Sequence, residues 1–360
     1  MMISRREFLK QSLMCAGFMV AKPWINLTQV LADWPDAERL GRNCTEGIVN
    51  IRAKPSAESA IVKKVYEDYI FVWLREVVGE APAGVYSRSW VETPEGYVFL
   101  PSVQPVKNQP NQPVLEMPQT DLGPGFWAEV TVPYVDIYLD KPPSSPWLKE
   151  VVRPRLYYSQ VMWIKDVGQN ETGDYLYRVG EQYGGVDEFW AAAEAFRPIT
   201  AEEITPIHPE AEDKKIVVNL FHQTLSCYEE GREVYFCKVS TGSKFNAAGE
   251  AVDAWSTPPG PHPIFRKLIS LHMSGGSSGA GWDTLGIGWT SLFAIGGVAI
   301  HSTFWHNAFG MAKSHGCVNA TPEDAKWIFR WSYPHVSYIP GELDVSDKWP
   351  PVGTIVEVIE

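Results

Sequence analysis

The sequence predicts a mainly β protein that contains more than one domain. Its 360 residues exceed what a single hydrophobic core usually supports. It holds 29 Gly and 28 Pro beside 15 each of Trp, Tyr and Phe, and 45% of its residues are hydrophobic. Many turn residues among apolar and aromatic ones are typical of packed domains made of short strands.

The charge balance bears on possible partners. The formal net charge is -12, and no block of Lys or Arg interrupts the chain. Such a chain has no cluster of positive charge that could neutralise the phosphates of a nucleic acid. We therefore expect no nucleic-acid partner.

The amino terminus resembles a twin-arginine export signal. Residues 4–10 read SRREFLK, an apolar run follows from Leu13 to Ala21, and small residues follow near Ala32. The run is too short to cross a bilayer comfortably. Residues 1–32 are therefore predicted to be a signal and are left out of the fold, although an uncleaved signal could retain the protein at a membrane. A lipid anchor at Cys15 is the less favoured alternative, since the residues before it match a lipobox poorly.

Four cysteines remain beyond this segment: Cys44, Cys227, Cys237 and Cys317. They are too few for a disulfide scaffold in a chain of this length, so at least one thiol is free for chemistry. Cys227 and Cys237 flank a hairpin predicted to turn at Glu230-Gly231. Their offset does not place them directly opposite each other, so a disulfide there is possible but not favoured.

Residues 44–106 are predicted to form a small β-barrel. Gly and Pro separate its strand candidates, which are residues 48–51, 61–65, 69–74 and 97–100. The segment 47–56, GIVNIRAKPS, together with Trp90-Val91 and Gly96-Tyr97-Val98, resembles bacterial Src-homology-3-type domains. Such domains often accompany enzymes of the cell wall.

A domain boundary is predicted at residues 107–122. Four prolines lie among Gln and Asn between residues 104 and 119, which favours a semi-rigid extended linker and independent movement of the first unit. A second β-rich unit, weakly similar in layout to the first, follows over residues 123–200. Its strand candidates are residues 127–132, 134–139, 157–167 and 175–179. Trp163 and Trp190 are interpreted as core residues rather than as a sugar platform.

The last predicted domain covers residues 213–360 and opens with strand candidates at 215–220, 224–228 and 233–240. Residues 273–297 are rich in Gly and Ser but contain neither a phosphate-binding loop nor a dinucleotide-binding motif. We interpret them as a long functional loop that could act as a substrate lid. Its apolar residues Trp282, Trp289, Leu292 and Phe293 would cover a reaction intermediate.

Two short segments near the end carry the candidate chemistry. Residues 299–303 read AIHST, and residues 313–319 read KSHGCVN. A thiol with an ordinary pKa of about 8.5 is mostly protonated at neutral pH, so a catalytic Cys317 needs a base, which His301 or His315 could supply. A structural cysteine is the plain alternative. A metal site made of these three residues and His306 is disfavoured, because the spacing matches no pair of ligand dyads.

A helix is predicted a few residues beyond Cys317. Thr321 suits the N-cap position, Pro322 the first helical position, and apolar residues follow at helical spacing. The amides at its start could favour a thiolate or an oxyanion nearby. Gly316 would let a substrate carbonyl approach the backbone.

The order of these residues resembles the signature of L,D-transpeptidase (YkuD-type) catalytic domains. His301 is followed after twelve residues by SHGCVN at 314–319, and upstream lie STG at 240–242 and STPPG at 256–260. Ser302 stands where many relatives carry Gly, and the Gly-rich insertion before His301 is unusually long. These departures concern substrate choice rather than the nucleophile.

The resemblance implies a β-sandwich with a small helical cover and an enzyme of the bacterial cell wall, in the wall, the periplasm or at the cell surface. Cys317 would attack a peptidoglycan stem tetrapeptide to form a thioester, and His301 would take the thiol proton. The other implied site residues, which orient the loop and the substrate or hold the oxyanion, are His315, Ser314, Gly316, Asn319 and Ser302. No metal or organic cofactor is implied.

Three other functions remain open or are disfavoured. An L,D-carboxypeptidase would use the same thioester with water as the acceptor, and the sequence does not exclude it. A wall-binding protein with an inactive catalytic domain is disfavoured by the complete motif. Papain-like wall peptidases are disfavoured because their Cys precedes their His in the chain.

Overall fold

The computed structural model describes residues 31–145, 148, 149, 151, 153–245, 250–252, 255–275 and 282–360. Strands dominate these residues, which confirms the predicted mainly β fold. None of their helices is long and apolar enough to cross a membrane. The export signal lies outside the described residues except at its end, Leu31 and Ala32, and stays a prediction.

Residues 40–106 form two small sheets. Their strands are β1 (Leu40–Asn43), β2 (Val49–Arg52), β3 (Ile61–Val65), β4 (Ile70–Val72), β5 (Arg75–Val78), β6 (Ser89–Thr93), β7 (Gly96–Phe99) and β8 (Val103–Val106). The sheet orders are β3-β2-β7-β6-β5 and β4-β1-β8. Ile51, Trp73 and Val91 pack in the apolar core of this unit. All four predicted strands are present, whereas the likeness to Src-homology-3-type domains stays a prediction.

The middle of the chain forms a five-stranded sheet with smaller hairpins. Its strands are β9 (Gln119–Thr120), β10 (Gly123–Pro124), β11 (Phe126–Val130), β12 (Tyr134–Asp136), β13 (Arg155–Tyr157), β14 (Val161–Gln169), β15 (Tyr175–Gly180), β16 (Phe189–Ala192) and β17 (Phe196–Pro198). The main sheet has the order β16-β15-β14-β11-β17. Trp163 and Trp190 are buried, which confirms their interpretation as core residues.

The Pro-rich linker is extended, but it is bound to the middle sheet. The Asn111 N–H donates to the Glu194 carbonyl oxygen at 2.8 Å, and the Val114 N–H donates to the Tyr177 hydroxyl at 2.5 Å. Leu40 of the first unit also belongs to the apolar core of the middle unit. The expected independent movement of the first unit is therefore wrong, because both the linker and the core join it to its neighbour.

The last part of the chain forms two five-stranded sheets and a helix. Its strands are β18 (Lys214–Asn219), β19 (Thr224–Glu229), β20 (Arg232–Lys238), β21 (Gly260–Pro263), β22 (Arg266–Gly275), β23 (Trp282–Ala294), β24 (Val298–Ser302), β25 (Val318–Ala320), β26 (Glu342–Asp344) and β27 (Ile355–Ile359), and its helix is α1 (Pro322–Trp331). The sheet orders are β20-β19-β18-β27-β21 and β25-β24-β23-β22-β26. Helix α1 packs beside the second sheet, where the rings of Trp289 and Phe329 lie 5.6 Å apart.

The loop predicted over residues 273–297 is largely a strand. Residues 282–294 form β23, which pairs along its length with β22. Trp289 and Phe293 are buried in the core beneath α1, and Leu292 is buried in a smaller apolar cluster. The glycines suggested a loop, but Gly288 allows close packing: a Cβ there would lie 2.8 Å from a methyl group of Val161. The predicted lid is therefore wrong for residues 282–294.

A buried ion network joins the three parts of the chain. The Arg42 guanidinium donates to Asp68 at 2.6 Å and to the Phe304 carbonyl oxygen at 2.9 Å. Asp68 also accepts from Arg155 at 2.7 Å. Arg42 and Asp68 belong to the first unit, Arg155 to the middle unit and Phe304 to the last, so the ion pairs join the first two and a hydrogen bond extends the network to the third.

Candidate active site

Two adjacent strands bring the candidate catalytic segments together. Strand β24 carries His301, and β25 begins directly after Cys317. The two strands are parallel, with His301 opposite Asn319. Because side chains alternate between the faces of a strand, the neighbouring Ile300 points the other way, into the core beneath α1. The pairing thus places the His301 segment beside the Cys317 segment.

The Cys317 thiol is partly exposed and lies among apolar groups. It packs against a cluster that includes Leu268, Leu292 and Ala299, and Sγ donates to the Gly297 carbonyl oxygen at 3.6 Å. Burial raises the pKa of the thiol to about 11, although a hydrogen bond from the Ala299 backbone lowers it in part. Cys317 is therefore a neutral thiol in the resting protein at pH 7.

His301 is buried and has one ring nitrogen fixed as a donor. Its Nδ1–H donates to the Ser302 carbonyl oxygen at 2.9 Å. A neutral imidazole carries a single N–H, so Nε2 keeps a free lone pair. Burial lowers the pKa of His301 to about 4. At neutral pH the ring is therefore uncharged and can accept a proton at Nε2.

The resting pair is a neutral thiol and a neutral imidazole. Among the hydrogen bonds of the described residues, none joins Cys317 to a histidine ring. This arrangement suits general-base catalysis, in which the imidazole takes the thiol proton as sulfur attacks a carbonyl. It differs from a preformed thiolate and imidazolium pair.

Ser314 and Gly316 shape the turn that precedes Cys317. The Ser314 hydroxyl donates to the Cys317 carbonyl oxygen at 2.5 Å and accepts the Gly316 N–H at 3.1 Å. The Gly316 N–H, which was expected to donate to an oxyanion, is thus already hydrogen-bonded to Ser314. Gly316 has a φ of +121°, and a Cβ there would have no neighbour closer than 3.6 Å. Glycine is needed for this conformation rather than for lack of space.

The remaining predicted site residues are divided between surface and interior. His315 is exposed, and its ring lies 4.3 Å from that of Trp255. Asn319 and Ser302 are almost fully buried. The Asn319 terminal amide lies 2.9 Å from His306 Nε2. Asn319 thus contacts His306, and the Ser302 carbonyl oxygen contacts His301, while contact of either side chain with a substrate stays a prediction.

Thr257 is a site residue that the sequence did not single out. Its hydroxyl donates to the Gly316 carbonyl oxygen at 2.8 Å and accepts the Gly242 N–H at 2.9 Å. Gly242 has no room for a side chain, because a Cβ would lie 2.0 Å from the Trp255 carbonyl oxygen. The upstream STG and STPPG segments therefore brace the turn before Cys317. The signal in the sequence that could have pointed to Thr257 was the presence of the STG and STPPG segments upstream of the SHGCVN motif.

His306 is the second such residue, since the sequence analysis considered it only as part of a disfavoured metal site. It is buried, and its Nδ1 accepts the Ala308 N–H at 3.1 Å. The remaining proton then lies on Nε2, and the Asn319 amide accepts it when turned so that Oδ1 rather than Nδ2 faces the ring. Burial, more than the nearby Lys313, lowers the pKa of His306 to about 3. Across the described part of the chain, no group of three or more His, Cys, Asp or Glu side chains is arranged to hold a metal ion.

Comparison with known proteins finds a match in this region. The family model of the L,D-transpeptidase catalytic domain, YkuD, matches residues 213–358. A comparison with curated proteins gives no match.

Solved structures of L,D-transpeptidases show a weaker likeness. One from Xylanimonas cellulosilytica is 23% identical over 46% of this chain and 65% of its own, with a TM-score of 0.27. One from Enterococcus faecium is 22% identical over 45% of this chain and 56% of its own, with a TM-score of 0.30. One from Mycobacterium smegmatis is 16% identical over 54% of this chain and 98% of its own, with a TM-score of 0.32. The chain thus spans less than two thirds of the length of the first two.

The matched region contains both strands of the candidate site, with His301 and Cys317. Residues 213–358 are therefore similar to the L,D-transpeptidase catalytic domain of the YkuD family.

Proposed function

We propose that this chain is an exported L,D-transpeptidase that cross-links peptidoglycan stem peptides through a thioester on Cys317. The observation that carries the proposal is the state of His301, whose Nδ1–H is bound to Ser302 while Nε2 is free. The strand that carries this base lies beside the segment of the partly exposed thiol, inside the region that matches the family model.

The first step forms the acyl-enzyme. Sγ of Cys317 attacks the carbonyl carbon of the third residue of a stem tetrapeptide, and His301 Nε2 takes the thiol proton. The C–N bond to the terminal D-Ala breaks, and His301 returns the proton to the departing amine. Because the Gly316 N–H is bound to Ser314, the Cys317 N–H is the better candidate for holding the oxyanion.

The second step transfers the acyl group to an amine from another stem peptide. The amine nitrogen bonds to the thioester carbon, the C–S bond breaks, and the proton released by the amine restores the Cys317 thiol. His315, exposed beside Trp255, is positioned to contact a substrate.

Hydrolysis by an L,D-carboxypeptidase is the second candidate, and one observation favours it. Trp289 and Phe293, which were expected to cover the thioester, are buried in the core beneath α1 instead, and only Leu292 belongs to the cluster that Cys317 contacts. A thioester that is open to water hydrolyses more readily than a covered one. The same acyl-enzyme would then give a tripeptide.

The acceptor decides between the two reactions. Purified protein is incubated with a stem tetrapeptide and D-methionine, and the products are followed by mass spectrometry. Exchange of the terminal D-Ala for D-methionine supports transpeptidation, whereas tripeptide as the only product at high D-methionine supports hydrolysis. Cys317→Ala should give neither product, and the matched Cys237→Ala should retain activity. No product with the unaltered chain would indicate an inactive domain.

Export is a separate part of the proposal and has its own test. Replacing Arg5 and Arg6 by Lys should leave the precursor in the cytoplasm, as expected of a twin-arginine signal. Fractionation followed by immunoblotting measures this. Unchanged export of the variant would contradict the twin-arginine interpretation without affecting the catalytic proposal.

A further inference from the structure

The β22–β23 hairpin contains a β-bulge at His272. The register of the two strands shifts between Leu271 and Met273, so that two residues of β23, Leu285 and Gly286, lie opposite the single residue His272. Gly286 has a φ of +64°, the left-handed conformation that glycine adopts in such a bulge. A bulge bends its strand and changes the direction of nearby side chains. This one therefore determines where the side chains around His272 point.

Residues 181–184, which follow β15 of the middle unit, contact this bulge closely. One carboxylate oxygen of Glu181 lies 2.6 Å from His272 Nδ1, and the other accepts the Gly286 N–H at 2.9 Å. The Tyr183 carbonyl oxygen accepts the His272 N–H at 3.1 Å. A Cβ on Gly184 would lie 2.8 Å from the His272 carbonyl oxygen, so the two backbones touch. One short loop thus contacts the ring and the backbone of His272 and the strand opposite it.

The contacts of the His272 ring require it to be charged. Nδ1 lies beside the Glu181 carboxylate, and Nε2 contacts the Asp283 carboxylate. A neutral imidazole carries one N–H and could donate to only one of them, so the ring is an imidazolium. Asp283 also accepts from the Ser145 hydroxyl of the middle unit at 2.6 Å. The charge of His272 therefore contributes to joining the hairpin to the middle unit.

The residues on either side of His272 belong to the surroundings of the proposed nucleophile. Leu271 and Met273 pack against the apolar cluster that Cys317 also contacts, and Tyr183 packs against it as well. Successive side chains of a strand point to opposite faces. The backbone that carries the His272 ring to Glu181 therefore also carries its two neighbours to this cluster.

We propose that His272 is a positioning residue for Cys317, because its imidazolium, fixed between Glu181 and Asp283, keeps Leu271 and Met273 packed on the cluster that buries the thiol. Without the positive charge, one ring nitrogen and the carboxylate that faces it would both be acceptors. The bulge would then move away from residues 181–184, and the apolar cover of the thiol would loosen. The inference rests on the proposed function only in taking Cys317 as the nucleophile.

The test measures the rate at which iodoacetamide alkylates Cys317 at pH 7.5, with peptide mapping to identify the modified cysteine. Burial raises the pKa of this thiol to about 11, so the unaltered protein should react slowly. His272→Gln should react about tenfold faster, since a fall of about one unit in the pKa of the thiol gives about ten times more thiolate. His272→Lys keeps a positive charge between the two carboxylates and should retain the slow rate.

Glu181→Gln removes one carboxylate but keeps an acceptor for the Gly286 N–H, and it should also react faster, which keeps the test decisive if His272→Gln does not fold. His222→Gln, at an exposed position, is the matched control and should react like the unaltered protein. Circular dichroism shows which variants are folded.

Equal rates in the unaltered protein and the folded Gln variants at 272 and 181 would overturn the proposal, as would a rate in His272→Lys as fast as in His272→Gln. Alkylation needs no substrate, so the measurement does not depend on turnover. The expected pattern of rates in a protein that forms no product from the tetrapeptide would support the positioning role and contradict the proposed function alone.

Discussion

At the scale of single residues, the proposed chemistry depends on the protonation state of the buried His301 ring. The hydrogen bond from His301 Nδ1 to Ser302 fixes the neutral tautomer, and burial keeps it neutral. An exposed histidine, with a pKa near 6.5, would be charged in mildly acidic solution. His301 instead remains a base far into the acidic range.

This state predicts an unusual pH dependence. The acid limb of kcat/KM should lie near the pKa of His301 at about 4 rather than near 6.5, because kcat/KM reports the free enzyme. The rate of tetrapeptide turnover between pH 3.5 and 8 measures it, with circular dichroism at each pH to show that the protein stays folded. A limb near pH 6.5 in a folded protein would contradict the assignment of the base.

Thr257 gives a second prediction at this scale. Thr257→Val keeps the shape of the side chain but leaves the Gly316 carbonyl oxygen and the Gly242 N–H without their partner. The free energy of unfolding should fall by about 1–3 kcal/mol. The kcat should fall at least tenfold, since the turn before Cys317 is no longer held.

The control is a threonine in the first unit. Thr93 is also buried and donates to the Gly96 carbonyl oxygen at 3.0 Å. Thr93→Val should cost stability without lowering kcat, as chemical denaturation and steady-state assays would show. If Thr257→Val also retained full kcat, the bracing role of Thr257 would be refuted.

At the scale of elements, His272 contributes an ionic contact to the attachment of the β22–β23 hairpin to the middle unit. His272 Nδ1 lies 2.6 Å from Glu181, and Nε2 contacts Asp283. A ring with a carboxylate at each nitrogen must carry two N–H donors and is therefore charged. Burial alone would lower its pKa, but the two carboxylates outweigh burial and raise the pKa to about 9.

This contact predicts how stability depends on pH. A histidine with a raised pKa stabilises the fold fully below about pH 6.5, its unfolded pKa, and loses that contribution as pH rises through about 9. The shift corresponds to about 3 kcal/mol. His272→Gln should lower the free energy of unfolding by roughly this amount at pH 6, and the difference from the unaltered protein should shrink toward pH 9.5.

Urea denaturation at several pH values measures this difference. His222→Gln, at an exposed position, is the matched control and should unfold like the unaltered protein at every pH. A deficit in His272→Gln that stays constant from pH 6 to 9.5 would mean that the imidazolium charge does not provide the stabilisation.

The sequence predicted elements whose cause is local. Thr321 caps α1 through its hydroxyl, which accepts the Asp324 N–H at 3.1 Å, as its position before Pro322 indicated. Glu230 and Gly231, with φ of 49° and 76°, form the predicted turn between β19 and β20. Each depends on adjacent residues, so each was visible in the sequence.

Other features depend on distant partners and could not be predicted. The contact of Thr257 with Gly316 joins residues 59 positions apart. The Gly- and Ser-rich composition of residues 273–297 predicts a loop, whereas Gly286 and Gly288 lie in a strand and allow close packing against Val161. The motif named the candidate site residues, whose roles stay predictions, but it did not indicate the tautomer of His301 or the burial of Asn319.

At the scale of the whole molecule, the first unit is part of the folded body. Leu40 and Val106 share a core with the middle sheet, and Arg42 reaches both neighbouring parts. If the first unit moved independently, residues 33–119 could be removed with little effect on the turnover of soluble peptides. The structure predicts the opposite, because removal exposes core side chains and leaves Arg155 without Asp68.

The corresponding point variant is Arg42→Met. It leaves the Phe304 carbonyl oxygen and part of Asp68 unpaired in the interior, so the free energy of unfolding should fall by about 3 kcal/mol. Arg39→Met removes an exposed pair with Glu76 and should cost about 1 kcal/mol or less. Thermal unfolding compares the two. Equal stability of both variants would contradict a single folded body held by this network.

The central claim is that Cys317 forms a covalent acyl-enzyme with His301 as its base. Intact-protein mass spectrometry after rapid quenching of the reaction with a stem tetrapeptide tests it directly, followed by peptide mapping. We predict an added mass equal to the tripeptide acyl group, located on Cys317, absent in Cys317→Ala and formed much more slowly in His301→Ala. An adduct on another residue, or turnover by Cys317→Ala, would contradict the account.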